Sequence, residues 1–268
     1  MKPVLKALIT DLLPPLVIRR LSKFVGRRNS WSGHYSNWAS AAAASSGYDG
    51  ATIFESVRSA AAAVRDGAAI WERDAICFPH EEYNWHLLAC LMTVAARSKS
   101  ALHVLDFGGA FGSSYMQHRK ILSALRECSW TVVEQERIVA CGKTEFSTEI
   151  LSFQDTLEQG FSAKPINVVL LSSVLQYLEN PYELLEKIAA LAPSAIIIDR
   201  TPLALTGERI AIQHVPRSIY SASYPCRFLD KARLEAVMAP LGRLTPWFAS
   251  QVDPVGFWGV MSYAGEDK

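Results

Sequence analysis

The stretch Leu102-His103-Val104-Leu105-Asp106-Phe107-Gly108-Gly109-Ala110-Phe111-Gly112-Ser113-Ser114 puts an acid at the end of an apolar run and follows it with a glycine-rich turn. Such a strand–turn–helix unit brings backbone close to a ligand, because a glycine has no Cβ to collide with it. The helix that follows offers unpaired N–H groups to whatever lies above. The glycine spacing narrows the ligand. A dinucleotide loop needs G-x-G-x-x-G, which no frame here supplies. The acid at Asp106 suits a cationic amino group better than a pyrophosphate. S-adenosylmethionine (SAM) carries an ammonium and a sulfonium and no phosphate, and so fits. A second acid, Glu134, follows the apolar run Trp130-Thr131-Val132-Val133 and stands 22 residues after Gly112. An acid about 20 residues beyond a glycine turn is placed to meet ribose hydroxyls.

The elements that hold these residues follow from periodicity. Apolar runs at 102–105, 130–133, 150–153, 166–171 and 195–198 read as strands, and helical spacing fills the intervals between them. Asn180-Pro181-Tyr182-Glu183 has the residues of a helix start, and Asp230 is placed to cap a helix running to Met238. Residues 247–248 and 256–263 read as a closing pair of strands. Alternating strands and helices predict an open, mostly parallel sheet with ligands at the carboxyl ends of its strands. Before the first of these strands, the alanine-rich stretch that Gly47 stops, 53–65 and 87–96 read as helices. The chain is therefore expected to divide into a helical extension and cofactor cap over 1–98 and an α/β domain over 99–268.

Composition sets the outer limits. Half of the 268 residues are apolar and a fifth are charged, with net charge +1, which is ordinary for a globular protein. Residues 1–28 hold seven basic side chains against the single acid Asp11. Apolar residues recur there at helical spacing and Pro14-Pro15 interrupts them. That leaves two readings, a segment lying on an anionic membrane surface or a helical pair packed on the domain. No apolar run approaches the ~18 residues of a membrane span. The interrupted N-terminal stretch makes a poor signal peptide. The five cysteines are scattered singly, which argues against a disulfide framework or zinc site and for a reducing cytoplasm. No cluster of ligating side chains points to a catalytic metal.

The ordered set of Asp106 to Gly112, Glu134, Ser172 to Leu178 and Asp199 resembles the class I SAM-dependent methyltransferases. Their loop, D-x-G-x-G-x-G, reads here with Ala110 in place of the middle glycine. A wider set is similar to the methyltransferases encoded among bacterial surface-polysaccharide genes (O-antigen, capsule). It comprises Gly33-His34-Tyr35 with Trp38, Ser46-Gly47-Tyr48, Glu72-Arg73-Asp74, Leu105-Asp106-Phe107-Gly108-Gly109, Val132-Val133-Glu134-Gln135, Val174-Leu175-Gln176-Tyr177-Leu178, Asp199-Arg200-Thr201-Pro202, Gln213 and Tyr220-Ser221-Ala222-Ser223-Tyr224-Pro225.

The resemblance implies a Rossmann-like, mostly parallel seven-stranded sheet with helices on both faces. It implies SAM as cofactor and S-adenosylhomocysteine (SAH) as product. Asp106, Gly108, Gly109, Phe111, Gly112, Glu134, Gln135, Ser172 and Ser173 would hold the cofactor, with no metal. The acceptor implied is a sugar hydroxyl, methylated on oxygen. Gln176, Arg200, Gln213, Tyr220 and Tyr224 carry donors fit for such an acceptor or a diphosphate. Asp199 and His214 are the candidates for the base that removes the hydroxyl proton.

Two other functions stay open: methylation of another small molecule, and a SAM-binding scaffold in a glycan assembly complex that turns nothing over. A nucleic-acid substrate is disfavoured by the lack of a basic catalytic face. The expected location is the cytoplasm, with contact at the inner membrane face through residues 1–28.

Overall fold

The structure, a computed structural model, describes residues 30–46, 50–204, 206–215, 222–242, 244–253 and 256–264. The two readings of residues 1–28, and Tyr220, lie outside the described residues.

Five strands form the parallel centre. They are β4 (Ala101–Phe107), β5 (Glu127–Val133), β6 (Leu151–Gln154), β7 (Val168–Ser172) and β8 (Ala195–Asp199), in the spatial order β6-β5-β4-β7-β8. All four pairings between them are parallel. Chain order runs outward from β4 in both directions, so the crossovers diverge there and leave a crevice beyond its carboxyl end. Every residue of β7 and β8 is buried, as strands covered on both faces require.

Alternate side chains enter two separate cores. Leu102, Val104, Val168, Leu170 and Ile197 meet α3 (Trp85–Arg97), α4 (Ser113–Leu122) and α5 (Glu136–Glu145) on one face. Leu105, Val169, Leu171, Ile196 and Ile198 meet α6 (Leu157–Ala163), α7 (Pro181–Ala190) and α8 (Lys231–Met238) on the other. Asp230 caps α8 by accepting from the Arg233 N–H at 2.8 Å. Asn180 occupies the cap position of α7 without a side-chain bond.

The sheet does not stop at seven strands. Beyond β8 come β13 (Gly256–Ala264), which also pairs with β12 (Leu244–Asp253), then β9 (Leu203–Ala204), β11 (Ser223–Asp230), β10 (Arg209–His214) and β1 (Ser30–Tyr35). That makes eleven strands. The region before residue 98 is also not all helix. Beside α1 (Trp38–Ala44) and α2 (Gly50–Arg65) it supplies β1 to the sheet edge and a small hairpin, β2 (Trp71–Arg73) with β3 (Ile76–Phe78). One sheet thus joins segments from either side of residue 98. Among the described residues no helix is long and apolar enough to cross a membrane.

Candidate functional site at the carboxyl ends of the strands

Three neighbouring strands end in backbone that L-residues avoid. Gly108 after β4 has φ +73°, Ser173 after β7 +58° and Arg200 after β8 +48°. Positive φ costs a non-glycine residue about 1–2 kcal/mol, and here it turns each chain sharply at the crevice. Gly108 donates its N–H to the Val133 carbonyl at 2.9 Å. A Cβ on Gly108 would lie 2.6 Å from Val174 Cγ2, and one on Gly109 would lie 2.5 Å from the Asp106 carboxyl. The loop therefore rests directly on its own acid. Ala110, where the methyltransferase pattern has glycine, takes φ +49° and donates its N–H to Glu134 Oε1 at 3.3 Å. Gly112 starts α4 with no side-chain cap, leaving first-turn N–H groups at the crevice.

Asp106 is 1% exposed and its Oδ2 accepts from Trp130 Nε1 at 2.9 Å. It lies under the loop, so its direct role is to seat Gly109. Burial first, then the charges of Glu134 and Asp199, push its pKa up to about 7, against the pull of Trp130 and Arg200. Glu134, at the end of β5, accepts from Ala110 N and, through Oε2, from Gln135 N at 2.9 Å. Burial raises its pKa as well. Gln135 is exposed at the start of α5. Phe111 is not at the ligand face. It is buried against Phe54 and Phe146, with ring centroids at 6.0 and 4.6 Å, because an aromatic ring with a core within reach turns into it. Behind it, between α2, α4 and the 146–151 turn, is a cavity of about 180 Å³.

Asp199 is not free to act as a base. It is 2% exposed and its Oδ2 accepts from Ser172 Oγ at 2.7 Å and Asn84 Nδ2 at 3.3 Å, with Arg200 Nε at 3.6 Å. His214 is not near the crevice either. Its neighbour Gln213 points inward and accepts from the Tyr177 hydroxyl at 3.1 Å. Successive strand side chains face opposite ways, so His214 is exposed on the other face, 2.7 Å from Ser32 Oγ. Gln176 and Gln213 are both buried, and both act as struts rather than open donors. Gln176 Nε2 donates to Ser173 Oγ at 2.9 Å and the Arg200 carbonyl at 3.3 Å, while its Oε1 has no partner among the described residues. Tyr224 stands edge-on to Tyr177 at 5.2 Å. The structure thus gathers Ser172, Ser173, Gln176, Arg200, Gln213 and Tyr224 round the turn after β7 and leaves His214 out.

Three residues here lay outside the sequence reading or were left ambiguous in it. Asn84 caps α3 through Leu87 N and also reaches Asp199. His118 is buried. Its Nδ1 lies 2.7 Å from the Ser114 carbonyl, so Nδ1 carries the proton and Nε2 accepts from Asn84 N at 3.2 Å. Burial lowers its pKa. Glu72, from the charged triplet on β2, is 3% exposed and accepts from the Ser113 hydroxyl, while its Oε2 is buried without a partner among the described residues. Burial pushes its pKa up to about 7.

No family model matches the sequence, and no curated protein matches it. Among the solved structures similar to it are the following three. The first is the N-terminal domain of EvdMO1, crystallised with SAH and D-fucose, at 14% identity and TM-score 0.49 over 82% of this chain and 98% of that one. The second is SAM-bound CalS10, an amino pentose methyltransferase from Micromonospora echinaspora, at 13% identity and TM-score 0.41 over 68% and 92%. The third is SAH-bound magnesium protoporphyrin IX methyltransferase from Synechocystis PCC 6803, at 12% identity and TM-score 0.46 over 68% and 83%. The α/β architecture itself stands on the strand register.

Asp106 and Glu72 make stability depend on pH with a definite sign. Unfolded, each loses its proton near ~4; folded, each keeps it to about 7. Between those values the native state binds more protons, so stability is full below about 4 and falls as pH rises through 7. Urea melts from pH 4.5 to 8 should show that decline, and Asp106→Asn with Glu72→Gln should flatten it. A slope unchanged in the double variant would assign the dependence to other groups.

Proposed function

We propose that this chain is a SAM-dependent methyltransferase, with a sugar hydroxyl of a surface-polysaccharide precursor as its acceptor. What carries the proposal is the charge and shape of the crevice at the end of β4. Carboxylates sit under the glycine loop at Asp106 and beside it at Glu134, and their mutual repulsion is part of what holds the Asp106 proton on. A pyrophosphate entering there would add to that repulsion, whereas an ammonium and a sulfonium relieve it. Each Glu134 oxygen spends one lone pair on a backbone N–H and keeps another for a ribose hydroxyl.

The residues that would hold SAM are therefore Glu134 at the ribose, the backbone of 108–112 along the methionine part, and the Ser172-Ser173 turn at its far end. SAM supplies a methyl group on a sulfonium, which leaves by in-line displacement. The chain's share is to hold the acceptor in line with it. Support for a saccharide acceptor comes from the motif set of the polysaccharide-gene methyltransferases and from the polar grouping of Arg200 and Tyr224 beside the crevice. Contact with the inner membrane face through residues 1–28 belongs to the same proposal.

A second reading, a SAM-binding scaffold without turnover, is favoured by one observation: Asp199 is fully engaged and His214 faces away. Calorimetry with SAH, SAM and NAD separates these functions from an oxidoreductase, and SAH and SAM are expected to bind while NAD does not. Transfer of labelled methyl to a lipid-linked glycan then separates enzyme from scaffold. Binding of NAD but not SAH would overturn both.

A further inference from the structure

The cavity of about 180 Å³ behind Phe111 takes its walls from α2, α4 and the turn over 146–151. Val64, Phe111, Met116, Phe146 and Leu151 make it largely apolar, and Glu72 and Ser113 add a polar patch. An apolar void of about 150 Å³ is enough to admit benzene. The other polar side chains of the lining are committed elsewhere. Glu145 accepts from Arg58 at 2.9 and 3.0 Å and stands 3.6 Å from Arg65. Arg65 donates to both oxygens of Asp66, at 2.7 and 3.0 Å. The Ser147 hydroxyl donates to the Gly142 carbonyl at 3.2 Å, and the Thr148 hydroxyl accepts from Leu151 N at 2.9 Å.

Glu72 is the exception. Its Oε1 accepts from the Ser113 hydroxyl. Its Oε2, in a residue 3% exposed, is buried without a partner among the described residues. With Arg58 and Asp66 counted beside the lining, three carboxylates meet two guanidiniums, and the acid without a cation is Glu72. An uncompensated carboxylate among apolar walls is costly, and a cation entering beside it lowers that cost. Burial, with Asp74 acting in the same sense, pushes its pKa up to about 7. The Ser113 hydroxyl, the Ala75 N–H and the Arg200 charge oppose that rise.

We propose that this cavity binds a small organic amine, its ammonium on Glu72 Oε2 and a compact body of about phenyl size among Val64, Phe111 and Phe146. An anion is disfavoured by Glu72 and Glu145 together, and a neutral molecule would leave the Glu72 charge unmatched. Phe111 turns away from the ligand face, so the cavity lies behind the glycine loop and not over it. The site does not rest on the methyltransferase reading. It does touch the same helix start, because Ser113, which holds Glu72, opens the turn of α4 whose N–H groups reach the crevice.

Calorimetry on the full chain at about pH 8 tests this with benzylamine, and with benzyl alcohol as an uncharged molecule of the same shape. Benzylamine is expected to bind about tenfold or more tighter than the alcohol. Glu72→Gln should remove that advantage, leaving the alcohol within about threefold of its wild-type affinity and SAH within about threefold of its own. Amine affinity should fall as pH drops below about 7, where the Glu72 proton competes with the ammonium, and this dependence should vanish in Glu72→Gln. Ala61→Leu, which fills the cavity from α2, should abolish binding of both probes, and it carries the test should Glu72→Gln fail to fold. The inference is overturned if benzylamine does not bind, the cavity then holding water only, or if it binds Glu72→Gln or Ala61→Leu unchanged. It is equally overturned if SAH displaces benzylamine competitively, which would give the cavity to the cofactor crevice. A wild type that binds benzylamine but no SAH would overturn the methyltransferase reading and leave this site standing.

Discussion

Glu134→Ala is expected to weaken SAH binding about 100-fold while the protein stays folded. The side chain does two things at once at the end of β5. Its oxygens take the N–H groups of Ala110 and Gln135, and on the proposed function its remaining lone pairs take the ribose hydroxyls. Hydrogen bonds to a charged group contribute about 1.5–3 kcal/mol each, so losing even one to the ligand costs about one to two orders of magnitude. The indirect loss adds to it. Ala110 sits at φ +49°, a conformation that a non-glycine residue leaves unless something holds it, and Glu134 is the side chain that holds it. Glu134→Gln keeps one acceptor oxygen and should lose about tenfold. Calorimetry with SAH and a thermal melt of each variant check this together. Wild-type affinity in Glu134→Ala, at an unchanged melting temperature, would remove the ribose from this strand end.

The parallel centre of the fold was legible because strands buried on both faces must be apolar throughout. Val168–Ser172 and Ala195–Asp199 could be read for that reason, to within two residues. The strands that widen the sheet lack that signature. β1 is mostly exposed and β11 contains Pro225 and Arg227, so neither alternates cleanly. The positions of the glycine loop and Glu134 followed from spacing, because a turn and a strand end are local features. The roles of Asp199 and His214 did not, because they depend on partners and parity. Asp199 meets Asn84 from 115 positions earlier. His214 is one residue out of step with Gln213, and in a strand one residue is the difference between the two faces. Phe111 illustrates the same limit, since its place in the loop was visible but the rings of Phe54 and Phe146 that draw it inward were not.

Asp199→Ala is expected to lower the melting temperature by about 10 °C, a loss that a base exposed to its substrate would not produce. The carboxylate gathers Ser172 from β7, Asn84 from the start of α3 and Arg200 from its own strand end. The Asn84 side chain also accepts from Leu87 N, and its backbone N–H donates to His118 Nε2, so this carboxylate adds a polar tie between the sheet and α3 and α4 to their apolar packing. Removing one member of a buried charged group strands the others and costs about 3–5 kcal/mol. In a chain of this size each kcal/mol moves the midpoint by roughly 2–4 °C. Asp199→Asn keeps an acceptor for Ser172 but sets an amide donor against Arg200, and should fall between wild type and alanine. If Asp199 instead removes the acceptor's proton, Asp199→Asn would melt like wild type and bind SAH normally while methyl transfer stopped. Melting curves and SAH titrations of the two variants therefore decide between a hub and a base before any acceptor is identified.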